Sequence, residues 1–438
     1  MKRVMGLLLS MVMLMVLATG CSSAAGAPAA SAPGEAVSSS SEAPAEPAEN
    51  VTLTYSIWDI NQQPGMEAMA KKFMEENPNI TVKVEVTPWG QYWTKLQAAA
   101  TGGGMPDVFW MHTNYMAQFA ESNAIMDLTD RISGSELVDM DKYAKVVIPV
   151  CTVNDKYFGL PKDTAAVGLW YNKAIFDEKG VAYPDDTWTW DDLKAAAQKL
   201  TDPAKDIYGF LAPPDDESGY WLFMWQNGAN VLSEDKKTSG YDKPEAIEAI
   251  QFYKSFIDEG LSPTPAQFAN TNAYQYFETG KAAMAMIGSY VVTELGTFDL
   301  VVNNCDVTVM PQGKQRATNG NGLVNSIATA TKHPEEAWKF LEFISSKEGM
   351  DIQAQSGAAI PALLDSMPVW VSSFDHFNMQ SFIDMQDYAY PTPVTKSSSI
   401  WSQFEKDTLK QVLSGTMSVE DGCKATAQKT NETIAANG

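Results

Sequence analysis

The chain has 438 residues, enough for two lobes with sizeable cores, and its 45% hydrophobic and 11% aromatic content excludes both a mostly disordered chain and a small disulfide scaffold. Lys plus Arg number 31 against 54 Asp plus Glu, and the net charge of -23 repels nucleic acid and anionic membrane surfaces. Arginine, the side chain best shaped for bidentate grip on carboxylate or phosphate, occurs only as Arg3, Arg131 and Arg316, so an anionic ligand finds few forks. At the N-terminus, Lys2 and Arg3 precede an apolar run from Val4 to Leu17 and then Ala18-Thr19-Gly20, which reads as a signal peptide over residues 1–20, too short for a comfortable membrane span. Residues 21–50 are almost all Ser, Ala, Pro, Gly and Glu, and are expected to form a disordered tether.

The folded part opens with Val51, Leu53, Tyr55 and Ile57 alternating with polar residues, the period of a strand. Met66, Met69, Ala70, Phe73 and Met74 then share one face of a helix that stops at Asn77-Pro78, and Ile80 to Val86 makes a second strand. A helix from about Gln91 to Ala100, a glycine turn at Gly102-Gly103-Gly104 and a strand over Asp107–Met111 complete a β-α-β-α-β order. Such units form parallel sheets that take ligands beyond the carboxyl ends of their strands, which here are Trp58-Asp59, Pro88-Trp89 and His112-Thr113-Asn114.

After Pro161 the pattern restarts: strands at Val167 to Tyr171 and Tyr208 to Phe210, with a helix through Leu200 between them. Helices are expected at Gly219 to Gln226, Pro244 to Glu259 and Ala273 to Phe277. Strands follow at Ala282 to Ile287, Val307 to Val309 and Leu323 to Ala328, then a helix from Pro334, and two last helices near Phe377 to Asp387 and Ile400 to Leu413. This order places a first lobe at residues 51–162 plus 290–330 and a second at 163–289 plus 331–438. The chain is expected to cross between them near Pro161 to Thr164, Gly288 to Tyr290 and Ala328 to Lys332.

Catalytic and metal signatures are sparse. Three His residues without a His-Glu-x-x-His run, and no Cys pair at zinc spacing, give a metal site nothing to stand on, and no cofactor motif is present. Gly280-Lys281 lacks the flanks of a P-loop, and Ser289 lacks the glycines of a nucleophile elbow. Cys151, Cys305 and Cys423 read as buried thiols. The positive signal is aromatic: sugar rings offer an apolar face and a rim of hydroxyls, and are served by flat rings together with acid or amide partners. Trp58, Trp89, Trp221, Trp225 and Trp401 are candidate platforms, and Asp59, Asn114 and Asp163 candidate hydrogen-bonding partners.

Small residues directly before Cys21 resemble the lipobox of bacterial lipoproteins, in which the chain is cut before the cysteine and the cysteine is acylated, here implying a palmitate-type anchor on Cys21. The order Pro88-Trp89-Gly90-Gln91-Tyr92-Trp93, Gly102-Gly103-Gly104-Met105-Pro106-Asp107-Val108, Gly159-Leu160-Pro161, Tyr171-Asn172-Lys173, Thr187-Trp188-Thr189-Trp190-Asp191-Asp192-Leu193 and His333-Pro334-Glu335-Glu336-Ala337-Trp338 resembles the family 1 extracellular solute-binding proteins of bacterial carbohydrate ABC importers. The resemblance implies an α/β, periplasmic-binding-protein-like fold: two α/β lobes, a ligand cleft and a three-segment hinge, with no reaction catalysed. It also implies ligand contacts at Gly288 and Tyr290, where the family has Gly-x-Trp, and at Gly320-Asn321-Gly322, where it often has a Gly-Gly pair. The implied partners are a mono- or oligosaccharide and membrane-embedded permease subunits. The expected protein is a monomer held on the extracytoplasmic face of the cell membrane by the lipid on Cys21. Alternatives are the same fold binding a polyol or glycerol phosphate diester, and a secreted glycoside hydrolase.

Overall fold

Strand β1 (Val51–Ile57) buries Val51, Leu53, Tyr55 and Ile57 and exposes Thr52, as its alternation requires. Helix α1 (Gln63–Glu76) turns Met66, Met69, Ala70 and Phe73 inward and carries Pro64 in its first turn, where the missing N–H costs nothing. Strand β2 (Ile80–Val86), helix α2 (Trp89–Gly102) and strand β3 (Val108–His112) follow as the sequence predicts. β1 lies between β2 and β3, parallel to both. The computed structural model describes residues 49–437; Cys21, the leader and the tether up to residue 48 lie outside the described residues.

Further along are β4 (Leu160–Pro161), β5 (Val167–Asn172), β6 (Met284–Gly288), β7 (Cys305–Thr308) and β8 (Leu323–Ile327), then helices α3 (Pro334–Ser345) and α4 (Lys347–Gln355). They complete two main sheets. The first has the order β2-β1-β3-β8-β4, with β8 antiparallel to β3 and β4; the second has β5 between β7 and β6, antiparallel to both. Every residue of β5 and β6 is buried, consistent with a strand covered on both faces.

The lobe boundaries differ from the sequence expectation in two places. β7, expected in the first lobe, pairs with β5, Cys305 opposite Asn172, and so belongs to the second sheet. α3 and α4, expected in the second lobe, pack on α1, and α3 also lies on β1 and β8. The crossings shift accordingly. Gly288 ends β6 opposite Val167 inside the second sheet, and Ala328 to Lys332 joins β8 to α3 within the first lobe.

The chain crosses at 161–167 and, in place of the other two expected crossings, between β7 and β8 and after α4. These segments are bonded to one another. Asp163–Thr164 pairs with Ile360–Pro361, Lys162 N–H donates to Leu323 O at 2.8 Å and Ala165 N–H to Asn321 O at 2.7 Å. Thr318 Oγ1 both accepts from Val167 N–H and donates to Val167 O. Of the crossings expected from sequence, the one at Pro161 to Thr164 is where the structure has one.

Two smaller differences remain. No strand forms over Tyr208 to Phe210, where only Tyr208 makes an isolated bridge, to Ala282, and a C-terminal helix over Val419–Asn437, absent from the sequence reading, packs on Ser398–Leu413. Cys151, Cys305 and Cys423 are free and buried.

Candidate functional site

A cavity of about 560 Å³ lies where the crossing segments meet the carboxyl ends of β1 and β3, within the range of small-molecule sites. From the first sheet it takes Trp58, Asp59 and Gln62 after β1, Trp89 at the start of α2, and His112 at the end of β3. From the crossings it takes Asp163, Thr164, Ala165, Asn321, Gly322, Leu323 and Ala359. Glu217, Tyr274 and Tyr290 close it from the second lobe.

One wall is aromatic. Trp58 sits edge-on to Trp89, Tyr92 and Trp110 at centroid distances of 5.1, 5.0 and 5.0 Å, an arrangement that fixes its ring before any ligand arrives. Trp89 is 45% exposed, unusual for an indole, and its ring edge meets His112 at 5.4 Å. Across the cavity, Tyr290 OH lies 3.0 Å from Ser218 Oγ, and burial pushes the phenol up to about 12.

Behind the polar wall runs a chain of hydrogen bonds. Gln62 Nε2 donates to Asp59 Oδ2 at 3.0 Å, and the Lys162 ammonium donates to Gln62 Oε1 at 2.9 Å and to Asp163 Oδ2 at 2.6 Å. Leu323 N–H holds the other Asp163 oxygen at 2.8 Å. Burial raises the Asp163 carboxyl above its ordinary range, with Lys162 opposing. Lys162 is fully buried, with its ammonium 4.1 Å from the Trp110 ring centroid, so one cation serves two site residues and an indole at once.

A second polar set comes from Asp215-Asp216-Glu217. Burial, with Asp216 and Asp215 next, pushes Glu217 up to about 8; burial and then Asp216 push Asp215 up to about 6. Lys406 pairs with Asp216 at 3.0 Å. His112 is lowered to about 4 by burial and then by Lys406, and is therefore neutral near pH 7.

Of the residues singled out in the sequence, Trp58, Asp59, Trp89, Asp163, Tyr290, Asn321 and Gly322 are brought together here. Gly322 is required by space, since a Cβ there would stand 2.5 Å from Asp163 O. The others lie elsewhere. Trp221 is buried, its Nε1–H donating to Tyr241 OH at 2.9 Å and Glu405 Oε1 at 2.6 Å. Trp225 stacks on Tyr390 at 5.3 Å and lines a separate cavity, and Trp401 is buried with its Nε1–H on Thr395 Oγ1 at 2.9 Å.

Asn114 is exposed on the helix after β3. Gly320 packs against Ala389 and Val146. Gly288 supports the site without lining it, because a Cβ there would lie 2.2 Å from the Tyr290 ring. Sequence reasoning missed Gln62, Glu217 and Tyr274. Gln62 carried a usable signal, since it lies within a turn of a strand end already nominated; Glu217 was hidden among many acids.

Residues 59–351 match the family described as bacterial extracellular solute-binding protein. The chain belongs to this family. A similar solved structure is an ABC substrate-binding protein from Listeria monocytogenes in complex with cycloalternan, with TM-score 0.82, 26% identity, and 88% of this chain and all of that one covered. Among relatives, this solute-binding protein is 29% identical to a binding protein of Brucella abortus, over 69% of this chain and 73% of the other. It is 26% identical to the maltotriose-binding protein of Pyrococcus abyssi, over 66% and 62% respectively. The two-lobed α/β fold is that of the family. Among the described residues no helix is long and apolar enough to cross a membrane, and no three His, Cys, Asp or Glu side chains come together to hold a metal ion.

Proposed function

We propose that this solute-binding protein captures an oligosaccharide between its lobes and presents it unchanged to the permease of an ABC importer, while a lipid on Cys21 keeps it at the outer face of the membrane. The observation that carries the reading is the pairing of a preorganised indole wall, Trp58 and Trp89, with Asp59, Asp163, Glu217 and Asn321 around one cavity. Sugar faces stack on the first and hydroxyls bond to the second. The relatives named for maltotriose and the structure holding cycloalternan support a carbohydrate of more than one ring. No Lys or Arg lines the cavity, which speaks against a phosphate diester as the ligand.

Titration calorimetry with a panel of neutral di- to tetrasaccharides tests this, with the products analysed after overnight incubation. Stoichiometric binding with the sugar recovered intact is the expected result. Turnover, or binding of no glycan, would overturn it. The anchor is tested separately by mass spectrometry of membrane-extracted protein, which should find lipid on Cys21, and by Cys21→Ser, which should release the protein.

A further inference from the structure

Next to the crossing at 318–323 lies a second cavity, of about 490 Å³, which shares no lining residue with the first and is also within the range of small-molecule sites. Its walls come from both lobes. Thr113 and Val150 belong to the first, Trp225 and Val231 to the second, and residues 390–394 continue the short strand that pairs with Thr318–Asn319. The partition between the cavities is thin: His112 lines the first and Thr113 the second, while Asn321 lines the first and Gly320 N–H donates to Tyr390 O of the second at 2.7 Å.

Two rings in this cavity are held in advance. Tyr390 stacks on Trp225 with centroids 5.3 Å apart and planes 15° from parallel, and the Gln315 amide ties both, its Nε2 donating to Tyr390 OH and to Trp225 O at 2.8 Å each. The charged lining residues are Glu234 and Lys236, both exposed and opposite in sign, in contrast to Asp59, Asp163 and Glu217 of the first cavity. A second observation points to an occupant. Thr392 lines the cavity and is only 8% exposed, yet its Oγ1 is buried with no hydrogen-bond partner among the described residues. A hydroxyl left in that state costs free energy and calls for a polar partner. One water would satisfy Thr392 but would leave the surfaces of Pro149, Pro391, Pro393 and Tyr390 uncovered, whereas a ring with an apolar face and a rim of hydroxyls meets both needs.

We propose that this cavity is a second carbohydrate site, which takes a neutral sugar with its C–H face against Tyr390 and the prolines and one hydroxyl bonded to Thr392. Because both lobes wall it, its occupant selects among lobe arrangements, as the ligand of the first cavity does, and the two binding events are coupled. The inference rests on the carbohydrate-binding reading and adds a site to it.

The test follows the indole N–H resonances of Trp58 and Trp225, assigned with Trp58→Phe and Trp225→Phe, as the protein is titrated with neutral di- to tetrasaccharides of the malto, cello, xylo and manno series. A sugar is expected to shift Trp225 over a concentration range of its own, distinct from that of Trp58, and calorimetry should count two sites per chain. Thr392→Val should weaken the Trp225 event about fivefold or more, the worth of one hydrogen bond, and leave the Trp58 event within about twofold. Its melting temperature without sugar should not fall, because the hydroxyl it loses bonds nothing in the empty protein. A lowered melting temperature would mean that the hydroxyl serves the fold through a buried water, and would overturn the site. So would a Trp225 shift that follows Trp58 at the same sugar concentrations and persists in Thr392→Val, since it would report lobe movement alone. If Trp58 responds and Trp225 does not, the second site is wrong and the sugar reading stands with one. If no sugar moves either resonance, the carbohydrate reading falls and this inference with it.

Discussion

Lys162 has no route to solvent, and its ammonium is satisfied by Asp163, Gln62 and the face of Trp110. Replacing it by Met would leave the Asp163 carboxylate buried without its cation, a loss on the scale of about 3–5 kcal/mol; urea unfolding of Lys162→Met should show it, along with weakened sugar binding. Trp58 makes a different demand. Its ring is held by neighbours, so Trp58→Ala should fold yet lose about 2 kcal/mol or more of binding, the scale of a central aromatic contact, as calorimetry would read.

Titration of buried groups gives a third prediction. Glu217 and the fully buried Glu405 are each pushed to about 8, Glu405 by burial and then Asp216, so between the ordinary carboxyl range and pH 8 the folded protein binds more protons than the unfolded chain. Stability contributed by these groups therefore falls as pH rises through that window. His112, lowered to about 4, acts oppositely, but only up to about pH 6.5, where the unfolded imidazole has lost its proton. Between about pH 6.5 and 8 the carboxyls act unopposed, and the melting temperature of the ligand-free protein should decline. Glu405→Gln, which keeps an acceptor for Trp221 and Tyr241, should flatten that decline; a melting temperature that rises across this interval would contradict the assignment.

At the scale of elements, the first half of the first sheet was legible because alternation and 3.6-residue spacing are local signals, and the strand-end rule then placed Trp58, Asp59, Trp89 and His112 around one space. What the sequence does not carry is destination. The amphipathic face of α3 announces that Phe340 and Ile344 are buried, but not that they face α1 rather than the second sheet, and the Trp221 and Trp401 rings are as compatible with a core as with a cleft. Both proved to be core, their indole N–H groups already satisfied internally.

The reassignment of α3 is testable. Phe73 of α1 meets Phe340 edge-on at 5.2 Å and Phe343 at 5.6 Å. Phe73→Ala should cost about 3–5 kcal/mol of stability. A double-mutant cycle with Phe340→Ala should show coupling of about 0.5–1.5 kcal/mol, whereas additive effects would mean that the two helices do not share a core.

On the scale of the whole molecule, the cavity walls come from both lobes, Trp58 and Trp89 on one side and Glu217, Tyr274 and Tyr290 on the other, so a ligand can touch all of them only when the lobes approach. Ligand contacts of this kind lower the energy of the closed arrangement alone, which makes binding energy the drive for closure. The protein's own tie across the cleft is weak by comparison. Lys396 and Glu121 form an ion pair at 2.8 Å, with half of the lysine side chain and over a third of the glutamate exposed, and such pairs contribute about 0–1 kcal/mol. Hydrogen-bonded crossing segments at 161–167, 318–323 and 360–362 resist twisting while leaving bending open. Small-angle scattering should therefore show compaction on saturation with a bound sugar, accompanied by a change in Trp fluorescence as Trp89 loses water. Lys396→Ala should alter affinity by no more than about fivefold. If the scattering of the ligand-free protein already matched the saturated form, and only Lys396→Ala expanded it, the ion pair rather than the ligand would be holding the lobes together.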